Sequence, residues 1–226
     1  MKIICGLALM SLISWGQAQK LIQLKYVDAN KVNGLLRSYA TGVSIQSDDT
    51  LHTLALRGNP ETVAAVEEAV KKLDVPPIDF ELTVYLVSSS PQIGDQLPEA
   101  LAPTAKQLHG VFAYKGYQLL ESFMLRGRDG QGASSEGTIK NSTYTFRYSR
   151  AMVMDGAPKM VNLQNLNLQI RMPSGARNDK GQAEYKTTGL SSDIDIREGQ
   201  KVVVGKSDVN NGESPLILVV TVKVVE

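Results

Sequence analysis

The sequence predicts an α+β protein: a small βαββα module followed by a mostly antiparallel β-rich domain. Three observations predict it. The stretch Arg57 to Pro77 contains a helix with both ends marked. The pattern before it reads strand, helix, strand, strand, so that this helix closes a unit. After Pro76-Pro77, apolar and polar residues alternate at strand period between turn signals almost to the end of the chain.

Residues 1–18 stand apart from the fold. Lys2 is a short positive start, and Ile3 to Trp15 is an apolar run too short to span a bilayer comfortably. Gly16-Gln17-Ala18 puts small residues at both positions a signal peptidase reads. A secretory signal peptide cut between Ala18 and Gln19 is therefore expected, with an uncleaved membrane anchor as the alternative. Cys5 lies before most of the apolar run, which is not where a lipidated cysteine sits.

The module is expected over residues 19–75. Leu21 to Val27 reads as a strand. Asp28 is placed to cap a helix with Val32, Leu35, Leu36 and Tyr39 on one face and Gly42 at its end. Val43 to Ser47 and Leu51 to Arg57 alternate as strands around the turn Asp48-Asp49-Thr50. In the closing helix, Asn59 is the cap and Pro60 the first residue, where a missing N–H does no harm. Val63, Val66, Val70 and Leu73 form its apolar stripe, and Glu67–Lys71 and Glu68–Lys72 are i,i+4 pairs on its outer side. Two helices then cover one face of a small sheet. Such a unit is close to the lower limit for a self-sufficient core, so its sheet edges are available to neighbours. Pro76-Pro77 ends the helix and makes a stiff, extended linker.

The second domain is expected over residues 78–226. Phe80, Leu82, Val84 and Leu86 alternate with Glu81, Thr83 and Tyr85, giving a strand with one buried face. Pro103 splits the helical pattern of Pro98 to Leu108 into a short turn and a helix. Strands follow at 118–126, 134–139, 144–153, 160–172, 183–196, 201–205 and 215–225. Turn signals separate most of them: Arg128-Asp-Gly130, Asp155-Gly156, Pro173-Ser-Gly175, Arg197-Glu-Gly199 and Asn210-Asn-Gly212. Pro215 to Val225 is almost continuously apolar and β-branched, as a central strand covered on both faces should be.

Composition and side-chain chemistry exclude more than they propose. Loss of residues 1–18 removes Lys2 and no acid, which takes Lys+Arg from 24 to 23 against 23 Asp+Glu. The mature chain is neutral and has no basic block, so nucleic acid and anionic lipid are not expected partners. Cys5 is the only cysteine, so the mature chain has no disulfide and is held by its core. The two histidines, His52 and His109, fit structural places: His52 in a strand beside Leu54 and Leu56, His109 at a helix end. No metal site or cofactor is expected from them. Gly127, Gly130, Gly132 and Gly137 precede a strand rather than the helix a phosphate loop needs. No Gly-x-Ser-x-Gly elbow is present. Asp193 and Asp195 share one face of a strand, which reads as the wet face of an edge. Asp208 to Glu213 lacks the spacing of a calcium loop. No catalytic set and no small-molecule substrate are predicted.

Leu24-Lys-Tyr-Val-Asp-Ala29, Leu54-Ala-Leu-Arg-Gly58, Glu61 to Val66 and Lys72-Leu-Asp-Val-Pro-Pro77 together resemble the N-terminal modules of bacterial outer-membrane secretins, the ring-forming pores of type II secretion and type IV pili. Phe80 to Val87 resembles the first strand of the secretin core, Arg197-Glu-Gly-Gln-Lys-Val-Val-Val-Gly205 the family's Asp-Gly-Gln-Thr-Val-Val segment, and Leu216 to Val225 its final strand. The family's gate and membrane hairpins have no counterpart here. The resemblance therefore implies a short secretin-like protein with the module's fold and a periplasmic setting, rather than a pore. It implies a non-enzymatic part that works by protein–protein contacts, with itself or with envelope secretion or pilus proteins. The alternative is a periplasmic glycan-binding or glycan-processing β-domain, for which Tyr114, Tyr117, Tyr144 and Tyr148 are the only clustered aromatics.

Overall fold

The structure, a computed structural model, describes residues 17–90, 92–177, 183–209 and 214–225. The chain divides into two compact units, Met1–Pro76 and Pro77–Glu226.

In the first unit, β1 (Ala18–Gln23), α1 (Ala29–Leu36), β2 (Val43–Asp48), β3 (Thr53–Gly58) and α2 (Pro60–Leu73) follow one another. The sheet has the order β1-β3-β2 and is antiparallel throughout. Both helices lie on one face, where Val32, Leu36, Val63, Val66 and Val70 meet Ile45, Leu54 and Leu56. Asn59 caps α2 as its type predicts, accepting from the Glu61 N–H at 2.9 Å. Gly42 takes a left-handed φ of 86°.

Five details of this unit differ from the sequence reading. β1 starts and ends earlier than Leu21–Val27, because the N–H groups of Lys25, Tyr26 and Val27 leave the ladder for the carboxylate of Asp74. Leu35 and Tyr39 are exposed: α1 ends at Leu36, and Asn33 takes the buried place through bonds with Ser47 and Arg37. Leu73, the last residue of α2, is partly exposed, so the buried stripe stops at Val70. His52 lies in the β2–β3 turn with a left-handed φ of 49°, outside the strand and exposed. On α2, Glu67 bonds Lys20 of β1 as well as Lys71, and Lys71 also reaches Glu68 at 2.8 Å, in place of the expected Glu68–Lys72 pair.

The second unit contains β4 (Asp79–Ser89), a 3₁₀ turn (Glu99–Leu101), α3 (Ala102–Val111), β5 (Tyr117–Arg128), β6 (Ala133–Ile139), β7 (Ser142–Tyr148), β8 (Arg150–Met154), β9 (Met160–Arg177), β10 (Ala183–Arg197), β11 (Lys201–Val209) and β12 (Ser214–Val225). A four-stranded sheet runs β11-β12-β4-β5, and a five-stranded sheet runs β10-β9-β7-β6 with β8 also on β9. All ladders between these strands are antiparallel. The inner faces of the two sheets meet in one apolar interior. Phe80, Leu82, Val84 and Leu86 come from β4, alternate residues of β12 lie beside them, and Phe146, Leu163, Leu166 and Leu168 oppose them. Phe123 stacks on Tyr144 at 5.1 Å and meets Phe146 edge-on. Part of the outer face of the four-stranded sheet is covered by α3: Leu101, Leu108 and Tyr117 pack on Val87, Ile217 and Val219. This second layer is why β12 reads as an unbroken apolar run.

Two strand boundaries differ here. The tract 144–153 is two strands, because β9 changes partner: residues 160–164 pair with β8 and residues 167–171 with β7. Asn165 makes the corner between them with a φ of 49°, and its side chain holds Ser149 in the β7–β8 break. Pro173 and Ser174 lie within β9, not in a turn. Beyond Arg171 this strand has β10 on one side only, and such an edge tolerates a missing N–H. The expected turn at 210–212 lies outside the described residues.

Candidate interaction surface

Three of the titratable residues singled out by sequence, His109, Asp193 and Asp195, are spent on structure. His109, near the end of α3, meets Asp95 at 3.0 Å and stacks edge-on against Tyr117. Asp95 also accepts from the Tyr117 N–H. Asp193 and Asp195 lie on edge strand β10, where Asp193 accepts from the Asn165 N–H at the corner of β9 and Asp195 from the Asn162 amide. Among the described residues no group of three or more His, Cys, Asp or Glu is placed to hold a metal ion.

The tyrosines are likewise interior. Tyr117, Tyr144 and Tyr148 are buried, and only Tyr114 among the four keeps part of its surface, beside Lys206 at 3.2 Å. Burial pushes the Tyr148 phenol up to about 12, and raises Tyr117 and Tyr144 as well, with Asp95 and Glu121 adding smaller charge effects. The sequence cannot separate inward from outward tyrosines unless the strand register is known. That register places Tyr144 over Gly137 of β6, where a Cβ would lie 2.5 Å from the ring.

What the molecule offers instead is surface. In the first unit, β1 and β2 are both sheet edges, and the face away from the helices is open. A shallow groove of about 580 Å³ crosses that face over Ala55, with Gln19, Leu21, Ser44, Gln46 and Arg57 around it. Leu21 is 74% exposed there. Ala18 and Gln19, flanking the expected cleavage point, open β1: Ala18 pairs with Gly58 and packs on the core, and Gln19 pairs with Arg57.

One residue of this unit escaped the sequence reading. Asp74, directly after α2, accepts three successive N–H groups, from Lys25 at 2.8 Å, Tyr26 at 2.8 Å and Val27 at 3.2 Å. It closes the loop after β1 onto the exit of α2. A signal was present: an acid at a helix C-terminus faces the negative end of the helix dipole, so it needs another partner.

The outer face of the five-stranded sheet is polar along the middle of β9 and β10. Its positions there hold Asn162, Asn167, Gln169, Arg171, Thr187, Ser191, Asp193 and Asp195, with Met160, Pro173 and Tyr185 toward the strand ends, while Val161, Leu163, Leu166, Leu168 and Ile170 point inward. No helix among the described residues is long and apolar enough to cross a membrane.

Residues 19–78 match the family model described as the bacterial type II/III secretion system short domain. The match covers most of the first unit. The whole chain also shares its fold with solved secretins. It is similar to the V. cholerae type IV competence pilus secretin PilQ at 13% identity, covering 93% of this chain and 77% of that one with a TM-score of 0.60. It is similar to the type II secretin GspD of enteropathogenic Escherichia coli at 11% identity, covering 92% and 87%, with a TM-score of 0.61. It is similar to the Salmonella SPI-1 type III injectisome secretin InvG at 13% identity, covering 93% and 87%, with a TM-score of 0.57. No curated protein matches the chain in sequence. The secretin N-type domain thus sits in a chain whose β-rich part also follows the secretin arrangement, while the two are far apart in sequence.

Proposed function

We propose that this secretin-like protein is exported to the bacterial periplasm, where it acts without catalysis, through protein–protein contacts, in a type II secretion or type IV pilus complex at the inner face of the outer membrane. The observation that carries this reading is the match to the secretin N-type domain at 19–78, with two sheet edges free among the described residues and an open sheet face. A three-stranded sheet covered on one side only is an incomplete layer, and edges of this kind take up strands or helices of neighbours. Its partners are copies of itself or other envelope proteins.

The polar outer face of β9 and β10 supports a role other than a membrane-spanning barrel. A spanning strand presents an apolar band to lipid, whereas the middle of this face is amide, hydroxyl or charged, and Met160, Pro173 and Tyr185 stand only toward its ends. The glycan reading loses its platform, since Tyr144 and Tyr148 lie in the core.

Light scattering on the purified mature protein, with mass spectrometry of what it captures from the envelope, tests the proposal. A self-assembled ring or capture of secretion or pilus components is expected, and Ala55→Lys together with Leu21→Asp abolishes it while the fold persists. A strict monomer that captures no envelope protein overturns the proposal. Heat- and detergent-resistant multimers embedded in the outer membrane overturn the non-pore part of it.

A further inference from the structure

The two sheets of the second unit part at the end where β4 runs out and β12 begins, leaving a cleft of about 370 Å³. Leu120, Ile139, Ile170, Met172 and Leu216 give it apolar walls, and Ser88, Asn141 and Ser142 add polar ones. Leu120 faces inward because β5 has one extra residue there, between Leu119, which pairs with Val87, and Glu121, which pairs with Leu86. The volume falls within the roughly 300–1,000 Å³ of ligand sites, and such sites join apolar walls to a few polar groups.

The polar groups at this mouth are unequal. Gln118 already donates to the Ser89 carbonyl at 3.1 Å. Lys140, in the β6–β7 turn at a φ of 53°, is the one charged residue lining the cleft, and it has no ion-pair partner among the described residues. An apolar slot under a single free cation is the complement of an alkyl chain with a negative head. An alkyl chain needs only apolar contact to be held there.

We infer that this cleft binds one anionic amphiphile taken as a monomer from solution, with the acyl chain between the sheets and the head group at Lys140. Chain burial supplies the affinity, and Lys140 selects the sign of the head group.

Titration of the full chain with laurate below its micelle concentration, followed by methyl and amide NMR shifts, tests this. Saturable shifts confined to Leu120, Ile139, Ile170 and Leu216 are expected. Lys140→Gln, a change in an exposed turn, should weaken laurate about three- to fivefold, as loss of an exposed ion pair does, and leave dodecanol unchanged. Leu120→Trp or Ile139→Trp should fill the slot and abolish binding, with thermal melts showing that each variant is folded. The inference is overturned by shifts spread over both units, by dodecyltrimethylammonium binding as tightly as laurate, or by binding that persists in both folded tryptophan variants. Binding to phosphatidylglycerol vesicles without binding to monomeric laurate also overturns it.

Discussion

The two units hold their strands by different means. Among the described residues, the first buries ten core residues behind a sheet that is covered on one side, and it ties its ends with polar contacts. Asp74 gathers three backbone N–H groups, Glu67 joins α2 to Lys20 of β1, and Asp49 holds the start of α1 through Asn30. The second buries twenty in one interior between facing sheets, with an aromatic layer at Phe123, Tyr144 and Phe146. The difference teaches where each unit is vulnerable. A thin core depends on the contacts that close its loops, while a two-sheet core depends on how its side chains fill space.

The largest break in that contrast should come from Leu168→Ala, which empties the middle of the two-sheet interior. A fully buried leucine truncated to alanine costs about 2–5 kcal/mol. Urea unfolding should show the second unit's transition move to lower denaturant, while hydrogen exchange in the first unit stays as it was. Equal loss of protection in both units would show that the cores are not separate.

Gly127→Ala tests filling in the other direction. A Cβ there would lie 2.3 Å from the Phe80 ring and 2.5 Å from the Tyr148 hydroxyl, so the layer must shift at a cost of about 1–3 kcal/mol. A melting temperature within a degree of wild type would mean that the layer is looser than its geometry.

For the first unit, Asp74→Ala should cost about 1–2 kcal/mol by leaving three N–H groups to water alone. Amides of Lys25, Tyr26 and Val27 should exchange faster, and Asp74→Asn should restore part of their protection. Unchanged exchange at those three amides would remove Asp74 from the set of ties.

The smallest expected effect is on pH dependence. Asp79 keeps its carboxyl below the usual carboxylate range, chiefly because Arg128 donates to it at 2.9 Å, with burial opposing and Arg126 adding to the effect. Its contribution is therefore complete above the unfolded carboxylate value and is lost as pH falls through the lower folded value. Denaturant midpoints of the second unit should fall below about pH 4, and Asp79→Asn should flatten that slope. Identical acid profiles would show that the exposed pair contributes nothing.

Local signals were legible wherever the chain decides its own shape. Asn59-Pro60 begins α2, Gly42 takes the left-handed place, Pro103 starts α3 near its first residue, and the alternation of β4 buries the residues it should. The helix of Pro60–Leu73, with the Leu-Asp-Val-Pro-Pro exit behind it, carried the family resemblance before any contact was known.

The sequence by itself determined the kind of each element and the point at which one unit gives way to the next, because caps, prolines and periodicity act within a few residues. Only the tertiary structure decided which faces are free. It turned Tyr144 and Tyr148 inward, freed Leu35 and Tyr39, and split one apparent strand where β9 changes partner. It also gave Asp74 its three donors from a loop 47 to 49 residues away in sequence. Those outcomes depend on register and on partners distant along the chain, and a local pattern carries no information about either.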